Sequence, residues 1–426
     1  MNLHDTMLAL EQGAFDRTLK TLYACEDCKP FRLRFLNAVK AFREEFKADD
    51  STEIALFSAP GRTELGGNNT DHQGGHVLAA SLNGDIIAVA AKRDTLEINL
   101  KSEGMEMDSI DLTNLAPHQE ELNTSAALLR GIAAKFTELG WPVTGFDAYT
   151  TSDILKGSGL SSSAAFEVLT GTICSAFFAD SQVDPVQIAQ IGQYAENEYF
   201  GKPCGLMDQM GCSVGGVIAI DFAHTEPEVT RAGVDLTKEG YALCILDSGA
   251  DHADLTDAYA AVPAEMKAVA AVLGVQVLSQ TTKAQLIGHL REVRKVCGDR
   301  AALRALHYFA DDKRVKRAVR SLQNGYFEQY LAEIRASGHS SFAYLQNVSV
   351  YADPRHQEVA LTIALCDELL GARGAVRVHG GGFAGTIQAF VKNEALENYR
   401  SRMDQLFGKG ACHVLLIRPC GGVQVI

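Results

Sequence analysis

Proline, tryptophan and positive charge are all scarce in this chain. Its 426 residues include 10 Pro and one Trp, too little proline for a collagen-like or Pro-rich disordered protein. No stretch reaches the roughly 18 consecutive apolar residues of a membrane-spanning helix. The 39 Lys and Arg are outnumbered by 53 Asp and Glu, a net charge of −14. Nucleic acid and anionic membrane are therefore not expected as partners, because phosphate contacts need concentrated positive charge. The opening MNLHDTMLALEQGAFDR lacks the basic region and cleavage site of a secretory signal, so a cytoplasmic protein is expected. The 10 Cys are scattered, and the one close pair, CEDC at 25–28, has no second CxxC or His pair at zinc-site spacing. Reduced structural thiols are expected, with metal or redox work by Cys25 and Cys28 as the alternative.

What is present suits a compact α/β enzyme: 46% hydrophobic residues, 22% charged and 38 Gly, in a length for about two to four folding units. LRFLNAVKAFREEF (33–46) has helical periodicity, and LEINLKS (96–102) alternates as a strand. LNTSAALLRGIAAKFTELG (122–140) has an Asn/Thr start and a Gly stop and predicts a helix. A strand at 145–154 runs through a Gly/Ser loop into a helix from about Ser162, and another helix covers 185–200. Strands are expected at 214–222, 241–249 and 413–419, and 375–391 reads as strand, glycine loop, then strand or short helix, with helices filling most of 250–373. Two α/β-type domains meeting near 210–240 follow from this mixture. DDKRVKR (311–317) reads as a solvated helix face.

Three glycine-rich segments carry the chemistry. KGSGLSSSAAFE (156–167) places glycines before a helix whose unpaired N–H groups face the loop, an arrangement that binds phosphate. It is neither a Walker A loop nor a dinucleotide fingerprint, and a capped helix after a turn is the plainer alternative. PGRTELGGNNTDHQGG (60–75) packs Arg62, Glu64, Asn68, Asn69, Asp71 and His72 into one short loop. HGGGFAGT (379–386) has four glycines in eight residues, so its backbone must pass close to something. Asp208 lies in the apolar CGLMDQMGC, where a carboxylate should be paired. Glu196, in a run with Glu198, reads on its own as a solvated helix carboxylate. His72, His76 and His379 read as hydrogen-bonded or exposed loop histidines rather than metal ligands.

In chain order the three segments resemble the motifs of the GHMP small-molecule kinase superfamily, and the first along the chain, PGRTELGGNNTDHQGG, resembles the galactokinase signature. ENEYFGKPCGLMDQMG (196–211), ILDSGADHADLTDAY (245–259) and the terminal RPCGGVQVI are also similar to galactokinase segments. The resemblance implies an α/β (α+β), two-domain GHMP kinase fold, with a ribosomal S5 domain 2-like N-terminal lobe, a ferredoxin-like C-terminal lobe and the active site between them. Residues 1–30 would be an extension, 31–220 the N-terminal domain and 221–426 the C-terminal domain. The implied activity is ATP-dependent phosphorylation of the anomeric hydroxyl of galactose to galactose 1-phosphate.

The resemblance assigns ATP to Gly157, Ser158, Gly159, Leu160, Ser161, Ser162 and Ser163, and Mg2+ to Ser163 and Glu196. It makes Asp208 and its partner Arg62 catalytic, a buried structural pair being the alternative. The sugar falls to Asn68, Asn69, Asp71, Gly205 and Tyr259, with His252 at a further family position. Two departures stand out. Asn68-Asn69 replaces the usual Glu-His, and Ala384 replaces a usual Gly. The first keeps open the same chemistry on galacturonate, N-acetylgalactosamine or a pentose. From another class, a non-catalytic sugar sensor is the remaining alternative.

Overall fold

Two long strands organise the first lobe, β1 (Ala55–Gly66) and β2 (His76–Lys92). Around them lie β3 (Glu97–Ser102), β4 (Met107–Asp111), β5 (Phe146–Ser152), β6 (Val217–Asp221) and β7 (Glu228–Arg231). The second lobe contains β8 (Tyr241–Ala250), β9 (Gly374–Val378), β10 (Gly385–Lys392) and β11 (Cys412–Leu415), after which β12 (Val423–Gln424) returns to the first. The computed structural model describes residues 1–155, 159–202, 204–224, 226–250, 255–350, 354–383 and 385–426. Gly157, Ser158, His252 and Ala384 lie outside them.

The first sheet runs β12-β1-β2-β5-β3-β4, with β6 beside β2 and β7 beyond it. Strand β2 is long enough to pair twice along one edge, through residues 76–80 with β6 and 86–92 with β5. Only β3 and β5 are parallel among the described pairings. The second sheet, β11-β8-β10-β9, is antiparallel throughout. Its chain order of strand, helices, two strands, helix, strand is the ferredoxin-like pattern. The first sheet takes in β7 and β12, both from beyond residue 220, so the chain crosses between the lobes more than once.

Every residue of β1 is buried because both faces of the sheet are covered, which is why its opening reads as an apolar run without alternation. Phe57, Ala88 and Ala90 face the helix Ser162–Phe178 and its neighbours. Leu56, Ile87 and Val89 face the opposite way, against Leu3, Leu10, Leu19, Leu22, Phe35 and Val39. Residues 1–30, apart in sequence from the motifs, thus supply two helices, Leu3–Gln12 and Asp16–Tyr23, that cover the back of the sheet. Truncating Leu56 to Ala there would cost about 2–5 kcal/mol.

Three expectations change on folding. The helix expected over 185–200 is α-helical only to Ala195 and continues as a π-turn, Glu196–Phe200, ended by Gly201 at positive φ. The helix at 33–46 begins earlier, at Lys29, with Pro30 in its first turn where a missing N–H is harmless. The DDKRVKR run is not a purely solvated face. Asp311 has no exposed surface, accepting from the Asn68 N–H at 3.0 Å and the Ser337 hydroxyl at 3.1 Å, and Asp312 accepts from the His76 N–H at 3.0 Å. Adjacent acids on a helix reach different neighbours, and here both neighbours belong to the fold.

Candidate active site

Strand β1 brings Arg62 to a cleft of about 350 Å3 between the lobes, next to a register shift between Pro60 and Arg62. Gly61 sits at that irregularity with the second glycine segment against it: a Cβ there would lie 2.8 Å from the Leu160 carbonyl oxygen. The same oxygen accepts from the Arg62 N–H at 3.1 Å. The first and second motifs are therefore held together by backbone.

Arg62 grips Asp208, which stands in the first turn of the short helix Met207–Ser213. Arg62 Nε donates to Asp208 Oδ1 at 2.8 Å, and Nη2 lies 2.7 Å from Oδ2. Arg62 Nη1 donates to the Gly159 carbonyl at 2.5 Å, and the Ser161 hydroxyl donates to Asp208 Oδ2. Burial by itself raises the Asp208 carboxyl, but the Arg62 charge and the hydrogen bonds from Ser161 and Arg62 outweigh it and hold the group below its ordinary value. Burial likewise opposes the Arg62 charge, and Asp208 more than restores it. The pair is not sealed: the Asp208 side chain keeps 34% of its surface against 7% for Arg62.

Facing this pair is the start of the helix Ser162–Phe178. Gly159 and Ser161 both have positive φ, +69° and 54°. Ser161 occupies the cap position, yet its hydroxyl is used on Asp208, and no side chain caps the helix. The capped-helix alternative therefore fails here. The first N–H groups of the helix have no side-chain cap, and the exposed Ser162 and Ser163 flank them. Leu160, Lys202, His379, Gly380, Gly381, Gly382 and Tyr259 complete the lining.

Beneath the cleft lies a cluster that the sequence reading did not assemble. Gln209 Nε2 donates to Glu167 Oε2 at 2.9 Å and to Glu196 Oε2 at 2.8 Å. Glu196 is therefore buried, not a solvated helix carboxylate, and its Oε1 lies 3.4 Å from Lys202 Nζ. Burial, reinforced by the neighbouring Glu196, pushes Glu167 up to about 9, so it is protonated at neutral pH. The available signals were spacing alone: Glu167 is one helical turn past Ser163, and Gln209 adjoins Asp208.

The residues expected at the sugar are distributed unevenly. Asp71, in the turn Asp71–Gln73, lies against Gly205 in a second pocket of about 390 Å3. Gly205 of that pocket precedes the cleft-lining Asp208 by three residues. Tyr259 lines the cleft itself, and its hydroxyl donates to the Gly382 carbonyl at 2.8 Å. Asn69 has φ +57°, a conformation Asn tolerates better than most residues, and its Nδ2 is buried without a partner. Asn68 has no exposed surface, and its side chain is occupied by protein partners. His379 is buried between the hydroxyls of Thr63 at 2.9 Å and Thr386 at 3.1 Å.

Among the described residues no group of three or more His, Cys, Asp or Glu forms a metal cage. All 10 cysteines are free, Cys25 and Cys28 lying 3.6 Å apart at sulfur. No described helix is long and apolar enough to cross a membrane.

Comparison with known proteins gives these features a family. Residues 127–216 match the GHMP kinases N terminal domain, and residues 40–92 match the galactokinase galactose-binding signature. A galactokinase of Actinobacillus pleuropneumoniae serotype 3 is 31% identical over 86% of this chain and 94% of its own. One from Streptomyces coelicolor is 29% identical over 90% and 96%. Among solved structures, Lactococcus lactis galactokinase complexed with galactose aligns with a TM-score of 0.77 at 23% identity, covering 90% of this chain and 98% of that one. L. major mevalonate kinase in complex with R-mevalonate shares the fold more distantly, with a TM-score of 0.58 at 12% identity, covering 87% of this chain and 97% of that one. Arg62, Asp71 and the 76–92 strand fall inside the matched sugar-binding signature, and the uncapped helix falls inside the matched kinase domain. The chain belongs to the galactokinase family of the GHMP kinases.

Proposed function

We propose that the protein transfers the γ-phosphoryl group of MgATP to the anomeric hydroxyl of galactose, giving galactose 1-phosphate and ADP. The observation that carries this reading is the Arg62–Asp208 pair, open to a cleft and facing the uncapped start of the helix at Ser162. Residues 159–163, with Gly157 and Ser158 ahead of them, hold the phosphates through backbone N–H groups and the positive helix end. Lys202, exposed at the rim of the same cleft, adds positive charge that the acidic chain otherwise lacks.

Mg2+ fits the donor set. It binds through one or two carboxylates with waters and substrate phosphates rather than a protein cage, and Glu196 is one buried carboxylate beside the cleft-lining Lys202. Ser163 would supply a hydroxyl. When bound, the ion neutralises charge developing on the phosphate oxygens.

Phosphoryl transfer has a loose transition state that asks little of the nucleophile beyond alignment. A carboxylate held ionised by Arg62 meets that demand. Asp208 accepts a hydrogen bond from the sugar O1–H, and the proton passes to it as the O1–P bond forms and the bond from the γ-phosphorus to the bridging oxygen breaks. Asp71 accepts from two vicinal sugar hydroxyls, with Gly205 giving the ring room to approach. Asn69 offers its unpartnered amide, and Tyr259 shapes the reacting end.

The test is kcat/KM with MgATP for galactose, glucose, 6-deoxygalactose and galacturonate, with the phosphorylated position determined. Galactose should be the best substrate and glucose poor, since a site built around hydroxyls rejects a mispositioned or missing one by as much as about 10⁴-fold. Equal rates for glucose would remove Asp71 from its role. Preference for galacturonate would make that sugar the substrate.

A further inference from the structure

The family resemblance would put residue 68 against the sugar, but the structure gives Asn68 different work. Its amide has four hydrogen-bonding positions, two donor and two acceptor, and all four are occupied. Nδ2 donates to the Gly380 carbonyl at 2.6 Å and to Glu64 Oε2 at 3.3 Å. Oδ1 accepts from Asn347 Nδ2 at 2.8 Å and from the Ser341 hydroxyl at 3.2 Å. Its backbone is held as well, the N–H by Asp311 at 3.0 Å and the carbonyl by His307 at 2.9 Å. With no exposed surface, the side chain has no capacity left for a ligand.

These bonds converge on the third glycine segment. Asn68 takes the Gly380 carbonyl, Asn347 takes the Gly381 carbonyl at 3.0 Å, and the Tyr259 hydroxyl takes the Gly382 carbonyl. Asn347 also accepts from the Phe383 N–H at 2.5 Å, closing the loop onto itself. In a trans peptide the carbonyl of one residue and the N–H of the next point in opposite directions. Anchoring the carbonyls of Gly380 and Gly381 therefore turns the N–H groups of Gly381 and Gly382 the other way. Neither N–H has a partner among the described residues, and both glycines line the cleft that holds Asp208, Ser161 and Lys202. Paired backbone N–H groups of this kind form an anion-binding concavity.

We propose that Asn68 is a positioning residue for phosphoryl transfer and not a sugar contact: with Asn347 it holds the glycine loop so that the Gly381 and Gly382 N–H groups face the phosphoryl group in flight. The proposal rests on the kinase reading above and adds which residues serve the γ-phosphoryl position. It also accounts for the amide at residue 68. A Glu could accept from Asn347 and Ser341, but it could not donate to Gly380, and its charge would stand beside the buried Glu64 and Asp311.

The test separates three ligands on the full-length protein by calorimetric titration: galactose, ADP and the ATP analogue AMPPNP, the last two with Mg2+. In Asn68→Ala and, independently, Asn347→Ala, AMPPNP affinity should fall about tenfold or more, as expected when hydrogen bonds to a charged group are lost. ADP, which lacks the γ-phosphoryl group, and galactose should each bind within about twofold of wild type, this being less than one neutral hydrogen bond is worth. Loss of galactose affinity with AMPPNP unchanged would return Asn68 to the sugar and overturn the proposal. An equal loss for all three ligands in both variants, in protein shown by its thermal transition to be folded, would reduce Asn68 to a structural strut and overturn it too. Should Asn68→Ala fail to fold, the Asn347→Ala profile decides alone. Wild-type protein that binds AMPPNP but not galactose would instead count against the galactose reading and leave the loop assignment to be judged on the nucleotide arms.

Discussion

Asp85 and Asp208 are both carboxylates that arginine keeps ionised in the N-terminal lobe, and they lie on opposite sides of the same sheet system with opposite access to solvent. Asp85 accepts from the Tyr23 hydroxyl at 2.7 Å, from Arg34 Nη1 at 2.5 Å, from Arg418 Nη1 at 3.3 Å and from the Ser58 hydroxyl. It has no exposed surface, and its partners come from the N-terminal helices, β1 and the C-terminal segment. Asp208 has two side-chain partners, Arg62 and Ser161, and keeps 34% of its surface in the cleft. In both, burial raises the carboxyl and arginine more than reverses it. The difference is what remains for a substrate. Asp85 has spent its lone pairs on the fold, whereas Asp208 retains a face toward the start of the helix Ser162–Phe178. A low carboxyl value therefore does not separate the two, and the role proposed for Asp208 rests on its open side.

The strongest way to break this contrast is Asp208→Asn. Turnover should fall about 10²–10⁴-fold, the range for a positioned acid–base group, while MgATP still binds and the thermal transition moves little. Steady-state kinetics alongside calorimetry checks it, and near-wild-type turnover would erase the distinction. Asp85→Ala should do the reverse. Leaving Arg34 and Arg418 without their shared carboxylate should cost about 3–5 kcal/mol of stability, measured by denaturant unfolding, with the kcat of the folded fraction preserved.

Acid titration sharpens the comparison further. Both aspartates have depressed folded values, so the stability they contribute is fully present above the ordinary aspartate value near ~4 and is lost as pH falls through the folded values. Unfolding should set in below about pH 4, and Asp85→Asn should flatten that acid limb more than Asp208→Asn does, because only Asp85 is sealed. The smallest effects come from single hydroxyls. Tyr23→Phe should lose about 1 kcal/mol of stability without touching turnover. Ser161→Ala should leave stability nearly unchanged and lower kcat about tenfold or more, by roughly the worth of one hydrogen bond to a charged group.

Much of the cleft lining was readable because it is built from local signals. Glycines and serines before a helix, and a carboxylate in an apolar stretch, place Ser161, Ser162, Ser163 and Asp208 by chain neighbourhood alone. That Asp208 would be paired followed from the cost of burying charge; that the partner is Arg62, 146 residues away, came only from the family resemblance. Glu167 was not readable, since its environment is made by Glu196 and Gln209 from two other elements. Nor was the full burial of Asp311, one residue from Asp312, which keeps some exposure on the same helix.

By itself, the sequence determined the order and type of the main elements and the glycine-rich loops that allow close backbone approach. These depend on periodicity, composition and φ preferences, which are properties of short stretches. Tertiary structure alone decided that residues 1–30 cover the back of the first sheet, that β12 returns to pair with β1, and that Asn68 turns inward to Gly380 and Asn347 instead of toward a sugar. Each of these depends on a partner outside the local stretch, and for β12 and Asn68 that partner is hundreds of residues away. A hydrogen-bonding side chain chooses its partner by which groups the fold leaves unsatisfied within reach, and no stretch of sequence records that.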